Sequence, residues 1–139
     1  MPARVNPYLQ FRGHAEEAMT FYQSVFGGDL NLMRFADMGG MGVPEAEQQQ
    51  LMHSDLVVSD SIALMGADVP STHPELDQYN VHLSLSGDDE AQLRGWFERL
   101  AEGGSIDVPL EKAPWGDHFG QVKDRYGVNW LVNIAGGGS

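Results

Sequence analysis

Val5-Asn-Pro-Tyr-Leu-Gln-Phe11, then Arg12-Gly13, then Ala15-Glu-Glu-Ala-Met-Thr-Phe-Tyr-Gln-Ser-Val-Phe-Gly-Gly28 is the stretch that decides how the chain is read. Its first seven residues alternate in polarity, the period of a half-buried strand. Ala18, Phe21, Tyr22, Val25 and Phe26 then fall at i, i+3, i+4, i+7 and i+8, one apolar stripe of a helix. Glu16 and Glu17 stand in its first turn, where the helix dipole favours anions, and Gly27-Gly28 supplies the stop. The pattern returns about 75 residues later, a period that marks an internal repeat. Tyr79 to Leu85 alternates, Ser86-Gly87-Asp88 offers a cap, and Leu93, Trp96, Phe97, Leu100 and Ala101 repeat the stripe before Gly103-Gly104.

Outward from each glycine pair the halves stay parallel. In the first, an extended stretch Leu30 to Ala36 leads through a loop, Asp37 to Gln50, into strands Leu51 to Val58 and Ile62 to Gly66. In the second, Ser105 to Leu110 leads through Glu111 to Asp117 into strands His118 to Lys123 and Val128 to Ile134. Each half thus reads β-α-β-β-β, an α+β class chain of two tandem modules, about 4–68 and 78–135, within one domain spanning 1–135. Val69 to Gln78, with Pro70 and Pro74, reads as the linker, and Gly136 to Ser139 as a flexible tail. The loop Asp37 to Gln50 is long for a compact domain and reads as a flap beside a site.

Composition narrows the chemistry. Eight Lys plus Arg against 20 Asp plus Glu leave a net charge of −12 in 139 residues, which disfavours nucleic acid and anionic lipid. No cysteine is present, so thiolate metal sites, disulfides and a cysteine nucleophile are excluded. No apolar run is long enough to span a membrane, and the start Met1-Pro2-Ala3-Arg4 lacks a signal-peptide core. The expectation is a soluble cytoplasmic protein. There is no Gly-x-Ser-x-Gly elbow, Walker loop or dinucleotide fingerprint. With Lys112, Lys123 and six scattered Arg, a phosphate or phosphonate ligand finds little support.

The duplicated unit resembles the vicinal oxygen chelate superfamily, which includes glyoxalase I, bleomycin-resistance proteins and extradiol dioxygenases. Asn6 to Phe11, Glu17 to Gly28, Met52-His53, Leu64 to Asp68, Trp115-Gly116 and Asp124 to Trp130 are together similar to its PhnB-like branch. The resemblance implies mixed sheets that curl into an open cup with the helices outside, and chains that pair as homodimers. It also implies metal ligands on the first and last strands of each module. Counting along the repeat puts those positions near Asn6 and Asn80 early, and at Met65 and Leu131 late, a set with no anionic ligand. The expectation is no metal and no other cofactor.

Strand parity supplies the site candidates. Tyr8 and Gln10 point opposite Leu9 and Phe11; His53 and Asp55 share a face opposite Ser54 and Leu56; His82 and Ser84 alternate with Leu83 and Leu85. His118 and Gln121 lie on the matching strand of the second half, and Trp115 offers an aromatic lid. Trp96 and Trp130 have helix-facing parity and are assigned to the core, while His14 and His73 are read as surface residues. Met33, Met38, Met41, Met52 and Met65 suit an adaptable apolar lining. The favoured reading is a PhnB-like protein that encloses an unknown small organic molecule. The alternative is a lyase, isomerase or dioxygenase holding a divalent metal at a displaced His53, Asp55, His82 set. A dimeric scaffold with a cup filled by its own side chains is a third. A methyltransferase reading lacks the glycine loop that a nucleotide needs.

Overall fold

The computed structural model describes residues 5–73 and 82–136. It divides into two compact units, Met1–Asp77 and Gln78–Ser139. In the first, β1 (Tyr8–Phe11) is followed by α1 (Ala15–Phe26), β2 (Asp29–Arg34), β3 (Leu51–Val57) and β4 (Ala63–Asp68). The second repeats this as β5 (Leu83–Gly87), α2 (Glu90–Ala101), β6 (Ser105–Lys112), β7 (His118–Lys123) and β8 (Asn129–Ile134). The strand orders are β1-β4-β3-β2 and β5-β8-β7-β6. Both sheets are open and mixed: the first strand runs parallel to the last, and the remaining pairs are antiparallel. The α+β class and the two tandem βαβββ modules read from the repeat are therefore present.

Each helix buries its stripe on one face of its own sheet. In α1 the buried set is Ala15, Ala18, Met19, Tyr22, Val25 and Phe26. Met19 takes the core position and Phe21 stays half-exposed, because the helix starts at Ala15 and its stripe runs from there. In α2, Leu93, Phe97 and Leu100 are buried, whereas Trp96 lies at the margin of the stripe and is only half-buried. Trp130, by contrast, is fully in the core. Each fully buried side chain such as Tyr22, Phe11 or Leu56 contributes about 1.5–3 kcal/mol by leaving water.

The ends of the helices are fixed differently. Asp89, one residue beyond the expected cap triplet, accepts from the Gln92 amide at 3.1 Å and caps α2. No side chain at His14 caps α1. The Ala15 amide instead donates to Asp68 Oδ1 at 3.0 Å, and Asp68 Oδ2 accepts from the Leu51 amide at 3.0 Å, so one buried carboxylate ties the start of α1 to the start of β3. In the second module the buried Asp124 accepts from the amides of Tyr126 and Val128, at 2.8 and 3.1 Å, and from the Trp130 indole at 2.9 Å.

The edge strands carry the irregularities. β6 shifts register on both sides of Val108, next to Pro109, which has no amide to donate to a ladder. β2 shifts between Met33 and Arg34 against β3. That shift puts Leu51 in the core and leaves Met52 on the other side of the sheet. The tail assignment is sharpened at one residue: the Gly136 amide donates to Asp117 Oδ1 at 2.8 Å, and 137–139 lie outside the described residues.

Candidate functional site

The first module contains a cleft of about 500 Å³. Its floor is the end of β1 and β4 with Tyr8, Gln10, Ala67 and Asp68; Met52 of β3 reaches it through the bulge described above. One wall is the 35–50 loop, through Phe35, Met41 and Val43, and the other is 69–73, through Val69, Pro70, Thr72 and His73. Among the described residues the lining holds no Lys or Arg, and its carboxylate, Asp68, spends both oxygens on backbone amides.

Both walls are held by named bonds. The Gln48 amide group donates to the carbonyls of Gly40 and Val43 at 3.1 and 2.8 Å, which gives the 35–50 loop an internal frame. Glu47 accepts from the Ser71 amide at 2.8 Å and from its hydroxyl, joining one wall to the other. Those bonds hold the Glu47 carboxyl below its ordinary range. The Arg12 guanidinium donates to the carbonyls of Val69, Pro70 and His73, so this cation is committed to backbone rather than offered to a ligand. Arg34, which precedes Phe35, pairs with Glu16 at 2.8 Å; the hydrogen bond and the charge hold that carboxyl low as well.

The sequence candidates divide between the two units. In the first sheet Tyr8, His53 and Asp55 come together on the open face: Tyr8 Oη lies 2.9 Å from His53 Nδ1, and His53 Nε2 lies 3.9 Å from Asp55 Oδ1. Gln10 joins Tyr8 in the cleft. In the second module Gln121 Nε2 lies 3.3 Å from His82 Nδ1, and Ser84 is exposed on β5 in register with Leu131. Trp115 is 64% exposed and packs edge-on to Phe119 with centroids 5.9 Å apart. His118 opens β7 between Lys112 and Ile134. Neighbouring Asp117 is held below its ordinary range by the Asn133 amide and the Gly136 amide.

Asp68, Thr72 and His73 line the cleft without having been singled out for it. Parity carries no signal in an irregular segment such as 69–73, and His73 reads there as a surface residue. The long loop did carry a signal, and it borders the cleft through Met41 and Val43.

The donor chemistry of the first and last strands can be tested directly. Parallel register sets Tyr8 beside Met65 and Ser84 beside Leu131. Ser84 therefore repeats Tyr8, and His82 repeats Asn6; Asn80, the position reached by counting, lies outside the described residues. Asn6 or Tyr8 with Met65, and His82 or Ser84 with Leu131, offer one imidazole and no carboxylate. That set does not fit a divalent ion of the kind oxygen and nitrogen ligands hold. Among the described residues no three His, Asp or Glu side chains are gathered into a metal-holding group.

Two tandem βαβββ modules, each with its helix on one sheet face, are the unit from which vicinal oxygen chelate proteins are built. The Glyoxalase family, described as the Glyoxalase/Bleomycin resistance protein/Dioxygenase superfamily, matches residues 4–132, and the chain belongs to it. Within it the chain is PhnB-like. It is similar to Protein YjdN of Escherichia coli (strain K12), 26% identical over 143 residues, with 94% of each chain covered. Of solved structures, PA1353 from Pseudomonas aeruginosa is 34% identical with a TM-score of 0.84, covering 97% of this chain and 99% of that one. The PhnB protein from Bacillus cereus is 28% identical with a TM-score of 0.75, covering 96% and 100%.

Proposed function

We propose that this protein binds a small organic molecule in the cleft of its first module and does so without the divalent metal of its superfamily. The observation that carries the reading is the cleft itself. Its volume of about 500 Å³ exceeds the ~300 Å³ at which small-molecule sites begin. Phe35, Met41, Val43, Met52 and Val69 give it an apolar, deformable lining, and Tyr8, Gln10 and Thr72 give it a few polar groups to orient a ligand. The lack of Lys and Arg among the described lining residues, with the net charge of −12, selects against anions and favours a neutral or cationic ligand.

Thr72 is exposed on the 69–73 wall, so Thr72→Trp fills the cleft without disturbing the core. In a ligand-observed NMR screen of neutral aromatic compounds, wild-type protein is expected to bind some of them with Kd below ~1 mM, and Thr72→Trp to weaken those at least ~10-fold, about 1.4 kcal/mol. Binding unchanged by Thr72→Trp, or none at all, contradicts the reading.

The same reading takes the protein as a cytoplasmic homodimer. The absence of cysteine is consistent with a reducing compartment. Exposed Leu32 and Met33 on β2, and Ile106 and Val108 on β6, give the sheet edges apolar surface to cover. Sedimentation equilibrium should return twice the chain mass; a monomer at micromolar concentration overturns the dimer, and recovery outside the cytoplasm on cell fractionation overturns the location.

A further inference from the structure

The open face of the first sheet carries polar side chains that stand in a row across three strands. Tyr8 on β1 meets His53 on β3 at 2.9 Å, with ring centroids 5.6 Å apart. Beyond the imidazole stands Asp55 Oδ1, 3.9 Å from Nε2, and Asp55 Oδ2 accepts from Asn31 Nδ2 of β2 at 3.4 Å. The row has a direction. Burial holds the Tyr8 phenol above its ordinary range, so near neutral pH it keeps a proton that it can donate to Nδ1 in the tautomer that leaves that nitrogen bare. A neutral imidazole then carries its own proton on Nε2, the nitrogen facing Asp55. Met33, opposite His53 on β2, adds no charge, and Arg34 beyond it is paired with Glu16.

We propose that Tyr8, His53 and Asp55 form a proton relay through which the cleft deprotonates a weakly acidic hydroxyl of its ligand, a phenol or an enol. The proposal rests on the cleft reading above, since Tyr8 is the member of the row that lines the cleft. In the step, the ligand O–H breaks and its proton joins Tyr8 Oη. The Tyr8 O–H breaks in turn toward His53 Nδ1, where a new N–H forms. No electron changes hands. The products are a ligand oxyanion and an imidazolium whose Nε2–H faces the Asp55 carboxylate, itself positioned by Asn31. This arrangement suits a protein of charge −12 whose cleft has no Lys or Arg among its described lining residues: the ligand arrives neutral, and the charge it acquires is balanced by the imidazolium formed with it.

The tautomer can be read without any ligand. In two-bond proton–nitrogen correlation spectra of the full chain at mildly alkaline pH, His53 is expected to show bare Nδ1 and protonated Nε2. Tyr8→Phe keeps the ring, removes the donor and should let the two tautomers mix. A protonated Nδ1 in wild type, or a tautomer unaffected by Tyr8→Phe, overturns the relay while leaving the cleft reading intact. In the second arm p-nitrophenol is the probe. At a pH where the free probe is neutral, wild type is expected to bind it with a rise in the phenolate band, and His53→Gln, at a position that does not line the cleft, to bind it within about threefold while losing that rise. Bound probe that stays neutral in wild type overturns the relay, and a probe that fails to saturate removes the cleft reading and Tyr8's role as acceptor together.

Discussion

Gly104→Ala is expected to melt about 10–15 °C below the wild-type protein, the equivalent of about 3–5 kcal/mol at ~3 °C per kcal/mol. A Cβ on Gly104 runs into the Lys123 carbonyl oxygen and comes within 2.9 Å of two Asp124 backbone atoms, none of which can rotate away. The second glycine of the other pair sits in the same predicament. A Cβ on Gly28 meets the Val57 carbonyl oxygen and lies 2.8 Å from Val58 Cα, and its φ of +95° adds strain for any L side chain. The repeated glycine pair thus does more than stop a helix: its second member lets the chain leaving the helix press against the end of β3 or β7. Two controls separate collision from general glycine effects. Gly27 has φ +78° and open space around it, so Gly27→Ala should cost only about 1 kcal/mol. Gly95, inside α2 with nothing near its Cβ position, should gain about 0.5–1 kcal/mol on replacement by alanine. Thermal unfolding that ranks Gly104→Ala with Gly27→Ala contradicts the close-approach account.

The second large effect is expected at Asp124. Its carboxylate is buried and accepts two backbone amides and the Trp130 indole. Asp124→Ala strands all three donors, each costing about 1–3 kcal/mol when left unsatisfied, so a loss of about 3–5 kcal/mol is expected after partial rescue of the turn amides by water. Trp130→Phe removes one donor together with its bond and should cost less. In a double-mutant cycle the pair should couple by more than ~0.5 kcal/mol, because the carboxylate and the indole share one bond. A loss below ~1 kcal/mol for Asp124→Ala in denaturant unfolding contradicts this account of the β7–β8 turn.

Asp124, with Asp68 of the first module, also shows where sequence reading reaches and where it stops. Helix stripes and strand alternation are local periodicities, and so α1, both sheets and the pairing of Tyr8 with Gln10 on one face were legible. The Asp68 partners lie 53 and 17 residues away, a distance at which no periodicity reports. Met52 enters the cleft because β3 bulges, and a bulge breaks the parity that placed His53 and Asp55 correctly on the open face. The metal positions needed the register of a parallel pair, whose anchor in the second module is two residues from where counting put it. His73 lies in a proline-bearing segment with no period at all, and its place in the cleft comes from the Arg12 bonds to that segment's carbonyls.

The central claim is a cleft that works without a metal. Calorimetric titration of chelator-stripped protein with Ni²⁺, Zn²⁺, Mn²⁺ and Fe²⁺ tests it most directly, since Met65 and Leu131 occupy the late strand positions and His82 is the lone imidazole among the first- and last-strand candidates. No ion is expected to bind more tightly than ~1 mM, about −4.1 kcal/mol. Stoichiometric binding of any of the four that is lost in His53→Ala or His82→Ala would contradict the account and point to a metal enzyme instead.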